Sequence, residues 1–527
     1  MRNRDVAEML DRAARILSLR GENRYRVRAY KRAARAVASS PVEIEKLMRE
    51  NKLQALEGVG AGIAVKIKEI VKTGKLSLLE RVESGKLPEI EEGRMILLAS
   101  ALTLATELIP GLEVLSGVTK AALTGDVRRG KETVEKVEIV LAASDMFQAK
   151  VALENCEYLH HLRWDGNFCS AMHSFGLSLT LYLVQEDDFS LTLWVTSGSA
   201  GHIKKISEIV RNDKGQDLLC QEAGKHPFTP ETEEAIYNLA GLPFIHPELR
   251  EDRGEVEAAQ EGRLPVLVEA SDYCGDLHVH SNWSDGTAEI EEMVDAASEL
   301  GYRFIAVTDH SRALKIAGGL SLEKLAEQGR YIQALQAKYP NIRIFAGIEA
   351  DILDDGSVDA PDEVLAGLDV VIASVHSGFR QSSEKLTARI CRAMHNPYVQ
   401  IIAHATGRLL EKRQPYAVNM DEVIRTAAAT GTALEINSSP DRLDINDIFT
   451  RQAKEAGVLI SVNTDAHSQL ELANAILGLT VARRGWLTKE DVLNTRNPDE
   501  LISLLQAKRK SRYRGWSRRL CKSERAF

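Results

Sequence analysis

The chain has 527 residues, 44% hydrophobic and 27% charged, with a formal net charge of −9. That length implies two to four domains, and that composition is the one of a soluble globular protein. No apolar run reaches the roughly 18 residues a membrane span needs, and the N-terminus lacks an apolar signal core, so the sequence reads as cytoplasmic.

The first 90 residues carry 20 Lys and Arg against 12 Asp and Glu, while the remainder carries 47 against 64. A basic head on an acidic body suggests a polyanion-binding head. Apolar residues at helical spacing (Val6, Met9, Leu10, Ala13, Ile16, Leu17) predict one helix, and a second runs from Tyr25 to about Ala38. Residues 56–71, L-E-G-V-G-A-G-I-A-V-K-I-K-E-I-V, interrupt two helical stretches with Gly58, Gly60 and Gly62. This segment resembles a helix-hairpin-helix motif. Its glycines permit a tight turn whose N–H groups, with the next helix N-terminus, hold a DNA phosphate without reading the base. The other reading is a plain glycine-bearing helical hairpin.

Residues 94–245 read as mixed α/β, with a helix near 95–108 and strands at 137–143, 178–184 and 191–196. Residues 246–270, rich in Pro, Glu and Arg nearby, read as a linker with helical character. Six scattered cysteines (Cys156, Cys169, Cys220, Cys274, Cys391, Cys521) form no C-x-x-C pair, which argues against a disulfide framework or a thiolate zinc site.

From about residue 271 to 490 the pattern becomes strand, helix, strand, helix. The strand-like runs are D-L-H-V-H, F-I-A-V-T, I-R-I-F-A-G-I-E, V-V-I-A-S-V-H, Q-I-I-A-H, A-L-E-I-N and L-I-S-V-N-T-D. Such alternation predicts a parallel sheet, and about seven units predict a closed, TIM-like barrel. Nearly every run ends in a metal-ligand type of residue. His278 and His280 share one strand face, and Asp285 follows in a loop. His310, Glu349, His376 and His404 end later strands, and Asp465 and His467 close the set. Six of the thirteen histidines sit at these ends, and imidazole with carboxylate suits Zn, Mn or Fe. Residues 491–527 read as a C-terminal helix and a basic tail (Lys508, Arg509, Lys510, Arg512, Arg514, Arg518, Arg519), either touching nucleic acid or merely solubilising.

The set D-L-H-V-H-S…D-G, T-D-H, G-I-E, S-V-H-S-G, H-A-T-G-R and N-T-D-A-H resembles the polymerase and histidinol phosphatase (PHP) domain. The resemblance implies a trinuclear site. One metal would take His278, His280, Glu349 and Asp465, which are the catalytic set. A second would take Glu349, His376 and His404, and a third Asp285, His310 and His467. Two to three divalent ions, Mn or Zn or Fe, would activate water for phosphoester hydrolysis. Arg408 or Arg380 near the rim would hold substrate phosphate. One departure is Ala405, where polymerase-linked members often have Pro.

The whole chain resembles the bacterial and archaeal family-X DNA polymerases with a C-terminal PHP domain. The implied architecture is a multidomain α/β chain: a helical helix-hairpin-helix domain, a polymerase-beta-like α+β palm and thumb, and a (β/α)7 PHP barrel. Within R-Y-R-V-R-A-Y-K-R-A-A, Arg26 and Tyr30 match positions that approach a 5′-phosphate, and Lys66 matches a Schiff-base amine. An amine serves there only if neutral, so Lys66 as a phosphate contact or surface residue stays open. The palm departs from the family. In L-T-G-D-V-R-R-G-K-E-T-V, Gly125, Arg128 and Arg129 are kept but Asp126 replaces Ser. The metal-binding D-x-D reads Lys136-Val137-Glu138, and Thr180 stands at the third carboxylate. The altered T-S-G-S-A-G-H follows at 196–202, and the usual second hairpin module near residue 92 is missing. Mg at the palm is therefore not expected.

The expected function is a DNA-repair phosphoesterase of the 3′–5′ exonuclease, 3′-phosphatase or abasic-site endonuclease type, acting on gapped, nicked or damaged DNA with polymerase activity lost. The alternatives are an active gap-filling polymerase with an editing domain and a small-molecule phosphatase of the histidinol-phosphatase type. No membrane partner is expected, and fold alone does not fix the substrate.

Overall fold

A computed structural model describes residues 2–20, 22, 24–56, 58–83, 95–214, 218–219 and 228–509. The tail residues Lys510, Arg512, Arg514, Arg518 and Arg519, the passage near residue 92, Cys220 and Cys521 lie outside them. The chain divides into two compact units, Met1–Arg263 and Leu264–Phe527.

The first unit begins with helices α1 (Asn3–Leu19), α2 (Arg24–Ser39), α3 (Ile44–Arg49), α4 (Ala61–Thr73) and α5 (Ser77–Glu83). Val6, Leu10, Ala13 and Leu17 recur every three or four positions on α1, and Val27, Tyr30, Ala34 and Val37 do so on α2. These faces pack on Ile63, Ile67 and Ile70 of α4 to make one apolar core. Gly74, in the left-handed region at φ 71, ends α4.

The rest of this unit is a five-stranded sheet with helices. Its elements are β1 (Ile96–Leu97), α6 (Leu98–Glu113), β2 (Val118–Thr124), α7 (Gly125–Arg128), β3 (Thr133–Val134), β4 (Val137–Ala143), α8 (Met146–Glu154), β5 (Leu159–Asp165), β6 (Phe168–His173), β7 (Ser178–Gln185), α9 (Phe189–Ser197), α10 (Ala200–Lys214), α11 (Glu233–Leu239) and α12 (Glu255–Gln260). The sheet order is β2-β4-β7-β6-β5, with β4 and β7 parallel and the other pairs antiparallel. The expected strand at 191–196 is instead helix α9. In its run L-T-L-W-V-T, Leu191, Leu193 and Trp194 are buried and no residue is fully exposed, and a short apolar run of this kind carries no period that separates strand from helix. Within the expected linker, Arg250 and Glu255 are fully buried in the first unit.

Among the described residues, the second unit holds a seven-stranded sheet in strict sequence order. The strands are β8 (Gly275–Val279), β9 (Phe304–Val307), β10 (Arg343–Asp351), β11 (Val370–Ser374), β12 (Ile401–Ile402), β13 (Ala433–Asn437) and β14 (Ile460–Asn463). Helices α13 (Ile290–Glu299), α14 (Leu322–Leu335), α15 (Asp362–Leu365), α16 (Ser383–Met394), α17 (Met420–Thr430), α18 (Asp447–Glu455) and α19 (Ala475–Arg484) lie between or after them. All neighbours are parallel, and Val279 bridges to Ala466, with the His280 N–H donating to the Ala466 carbonyl at 2.9 Å. The two sheet edges thus meet, as a (β/α)7 barrel requires.

A helix over 498–509 closes the end where the strands begin. Its Leu501 and Leu505 pack on Phe304, Val370 and Ala433, the first residues of three strands. Lys508 Nζ anchors it, donating to the Met394 carbonyl at 3.1 Å and Thr432 Oγ1 at 2.6 Å. The opposite end, where the strands finish, is where active sites of this architecture form.

Candidate metal centre

All nine ligand candidates converge on that strand-end rim. Glu349, the sole ligand candidate within β10, is 1% exposed and sits at the middle. Its Oε2 is 2.7 Å from His310 Nδ1, 3.5 Å from His278 Nε2 and 3.7 Å from His280 Nε2. Its Oε1 is 3.1 Å from His404 Nε2 and 3.3 Å from His376 Nε2. Asp465 Oδ1 lies 3.1 Å from His280 Nε2 and 3.7 Å from His278 Nε2. Asp285 Oδ1 lies 3.3 Å from His467 Nε2 and 3.6 Å from His310 Nε2.

The residues fit divalent ions. Buried His278 Nε2, His280 Nδ1 and Nε2, His310 Nδ1, His404 Nδ1 and Glu349 Oε2 have no hydrogen-bond partner. An orphaned buried polar atom is costly, and six at one place call for a ligand that replaces hydrogen bonds. Three sets have ligand atoms mutually within 4.8 Å: His280, Asp285, His310 and His467; His278, His280 and Asp465; and His310, Glu349 and His376. The grouping differs from the expected one: His280 and His310 each reach two sets, Glu349 falls in one, and His404 falls in none. His280 and His310 sit at strand ends between neighbouring sets, a position that sequence spacing does not resolve.

The electrostatics are those of a mostly buried cluster in which Asp285 alone is exposed. Burial alone would raise the Glu349 carboxyl, but His310, His376 and His278 hold it well below the usual range. Burial would lower His376, yet Glu349 and Asp351 outweigh it and bring it to about 9. Burial, with His467 and His310 as neighbours, lowers His280 to about 4.

Two residues of the cluster have left-handed backbones: His404 at φ 30 and Asp465 at φ 55. Such conformations cost a side-chain-bearing residue about 1–3 kcal/mol and persist only where surroundings enforce them. Here Glu435 Oε2 accepts the His404 N–H at 3.0 Å, and the Tyr416 hydroxyl donates to the Ala405 carbonyl at 2.9 Å.

Sequence reasoning missed the supporting carboxylates. Glu435 Oε1 accepts from His278 Nδ1 at 2.8 Å and from Asn463 Nδ2 at 2.9 Å. Asp351 Oδ1 is 3.5 Å from His376 Nδ1. Each stood in plain sight, Glu435 in A-L-E-I-N and Asp351 two residues after Glu349, on the same strand face. The expected phosphate contact Arg408 is 8% exposed and turned inward, donating from Nε to the Arg442 carbonyl at 2.9 Å and also bonding the Leu443 carbonyl. Arg380 is exposed.

In the first unit, Gly58 has φ 88, and a Cβ there would meet Arg32 Cβ at 3.2 Å, so the turn demands glycine. Gly60 and Gly62 have open space where a Cβ would go. Tyr30 is 4% exposed, Arg26 is exposed and ion-paired with Glu22 at 3.3 Å, and Lys66 Nζ is 2.9 Å from Glu69 Oε2.

The positions that the sequence reads as an altered palm also meet. Glu138 of β4 stands in register with Thr180 of β7 and Thr124 of β2. Glu138 Oε1 accepts from Tyr182 at 2.9 Å and pairs with Lys136 Nζ at 3.2 Å. A Cβ on Gly125, which has φ 65, would collide with the Glu138 carboxylate. Arg128 pairs with Glu233 and donates to Ser197 Oγ at 2.7 Å. Arg129 pairs with Asp126 and, at 3.1 Å, with Glu251, while Lys131 reaches Asp126 at 3.1 Å.

Residues 1–76 match the model of a helix-hairpin-helix domain, and residues 276–439 match that of a PHP domain. The DNA polymerase/3′-5′ exonuclease PolX of Bacillus subtilis is 35% identical over 471 residues, which are 88% of this chain and 79% of that one. The chain belongs to the PolX family. A probable phosphatase of Thermoanaerobacter sp. is 32% identical over 232 residues, 42% of this PolX-family chain and 89% of its own length. Another, of Caldanaerobacter subterraneus, is 30% identical over 246 residues, 45% and 92% respectively. Among the described residues, no helix is long and apolar enough to cross a membrane.

Proposed function

We propose that this PolX-family chain is a metal-dependent phosphoesterase that trims or cleaves DNA at 3′ ends or abasic sites, and that its palm no longer transfers nucleotides. One observation carries the first half: nine ligand-type side chains meet at one barrel rim, where six buried polar atoms make contacts but no aligned hydrogen bond. Two to three divalent ions, Mn or Zn, would be held by His278, His280, Asp285, His310, Glu349, His376, His404, Asp465 and His467. Such ions supply Lewis acidity and an activated water near neutral pH. The chain's own part is to hold the ligands in place. Glu435 orients His278, Glu349 draws five imidazoles around one carboxylate, and the barrel wall keeps these groups away from bulk solvent.

The helix-hairpin-helix head supports DNA as the substrate. Glycines at 60 and 62, which nothing among the described residues requires, suit a backbone approached closely from outside. Loss of polymerase activity rests on charge. Of three acidic positions only Glu138 is a carboxylate, and Lys136 and Tyr182 occupy it. The arginines that would face a triphosphate are neutralised by Glu233, Asp126 and Glu251. The Lys66 amine is engaged by Glu69 Oε2 at 2.9 Å, which opposes a Schiff-base role.

A second reading, a monoester phosphatase acting on small molecules, is favoured by the phosphatase relatives that align with the barrel. Deleting residues 1–90 tests between the two. The DNA reading expects DNA-end cleavage to fall steeply while p-nitrophenyl phosphate hydrolysis persists. Equal DNA cleavage without the head would contradict it.

A further inference from the structure

Arg442 stands on the loop after β13, and its side chain is 17% exposed. Its Nε faces Asp465 Oδ2 at 3.5 Å. The other oxygen of that carboxylate, Oδ1, is the one near His280 and His278. The Arg442 backbone is fixed: its N–H donates to the Ser439 carbonyl at 2.8 Å, and its own carbonyl accepts from Arg408.

The neighbouring arginines are committed elsewhere. Arg408 is spent on carbonyls, Arg389 donates to the Ile352 and Ser377 carbonyls, and Arg413 donates to the Gly407 carbonyl while lying 4.6 Å over the Phe379 ring. Among the described residues, the two terminal nitrogens of Arg442 make no hydrogen bond. A half-buried guanidinium with one edge on a ligand carboxylate and a free fork matches the spacing of two phosphate oxygens.

We propose that Arg442 is the substrate-phosphate clamp of the barrel site, taking two non-bridging oxygens of a phosphoester through its terminal nitrogens. Charge on Asp465 holds the guanidinium over the cluster and keeps its plane fixed. This deepens the phosphoesterase reading and rests on it for the identity of the ligand.

The test uses the full chain loaded with Mn, compared with Arg442→Gln and Arg442→Lys. Metal content is measured first, then binding of inorganic phosphate by calorimetry, then hydrolysis of p-nitrophenyl phosphate. The expected result is unchanged metal content with phosphate affinity down about tenfold or more in Arg442→Gln. A smaller loss is expected in Arg442→Lys, which keeps the charge but not the fork. Wild-type phosphate affinity in both variants would overturn the inference. So would metal loss in both, which would make Arg442 a prop for Asp465, and so would a wild-type protein that binds no phosphate. Absence of hydrolysis by the wild type toward every ester would sink the phosphoesterase reading alone, because the phosphate-binding comparison still decides Arg442.

Discussion

Glu435 accepts a hydrogen bond from His278 Nδ1 at 2.8 Å and so turns Nε2 toward Glu349 and Asp465, at 3.5 and 3.7 Å. One carboxylate that touches no other ligand atom of the cluster thereby sets the tautomer and direction of a ligand. The same Glu435 accepts the backbone N–H of His404, joining two strand ends.

Glu435→Gln keeps the shape but weakens the acceptor. Metal affinity should fall about 10- to 100-fold, with the barrel still folded. Titration with Mn, read beside circular dichroism, checks this. Wild-type metal affinity would leave Glu435 without the orienting role.

Gly62 sits in the first turn of α4 with nothing within 4 Å of a Cβ. Alanine there should stabilise the helix by about 0.5–1 kcal/mol. If the turn carries DNA phosphate, the added methyl should nevertheless weaken DNA binding. A higher melting temperature together with a lower affinity for gapped duplex is the expected pair. Unchanged affinity would remove this glycine from the interface.

Lys66 Nζ is 2.9 Å from the Glu69 carboxylate. The Glu69 carboxylate thus engages the amine that a Schiff base would need. Borohydride trapping on abasic DNA should give no adduct, and Lys66→Ala should lower DNA affinity modestly. A Lys66-dependent adduct would restore the lyase role.

His173 is 7% exposed, and its Nδ1 accepts the Phe175 N–H at 3.2 Å. Burial, then the neighbouring His160, lowers it to about 4. The neutral form is thus favoured by folding. Its contribution is complete above the unfolded value near 6.5 and is lost as pH falls toward 4, at most about 3 kcal/mol. The Phe175 carbonyl takes Arg20, so the loss should loosen the helical head on the β6–β7 turn. Calorimetry between pH 4 and 7 should show a first-unit transition whose acid sensitivity shrinks in His173→Gln. Equal sensitivity would assign it to other groups.

Much of the barrel was legible because its signal is periodic twice over. Each strand is a short apolar run, and nearly every run ends in a ligand-type residue, so chemistry and topology reported the same rim. Glu435 was read as part of a strand and not of the site, because its partners are backbone and imidazole groups from strands far away in sequence. Arg408 and Arg380 were named as phosphate contacts and Arg442 was not, since the inward turn of Arg408 depends on loop carbonyls at Arg442 and Leu443. In the first unit, the stretch 191–196 looked like a strand because a short apolar run with no exposed residue shows no polar face. Glu233, Glu251 and Glu255 went unnoticed because partners such as Arg128, Arg129 and His202 lie far away in sequence.

The most direct test of the whole account is one incubation. The full chain is given Mn and a gapped duplex labelled at either end, with and without dNTPs, beside His278→Ala/His280→Ala. The account predicts 3′-end shortening or phosphate release that vanishes in the double variant, and no primer extension by either protein. Template-directed extension would contradict the loss of the palm, and shortening that survives the double variant would contradict the metal centre.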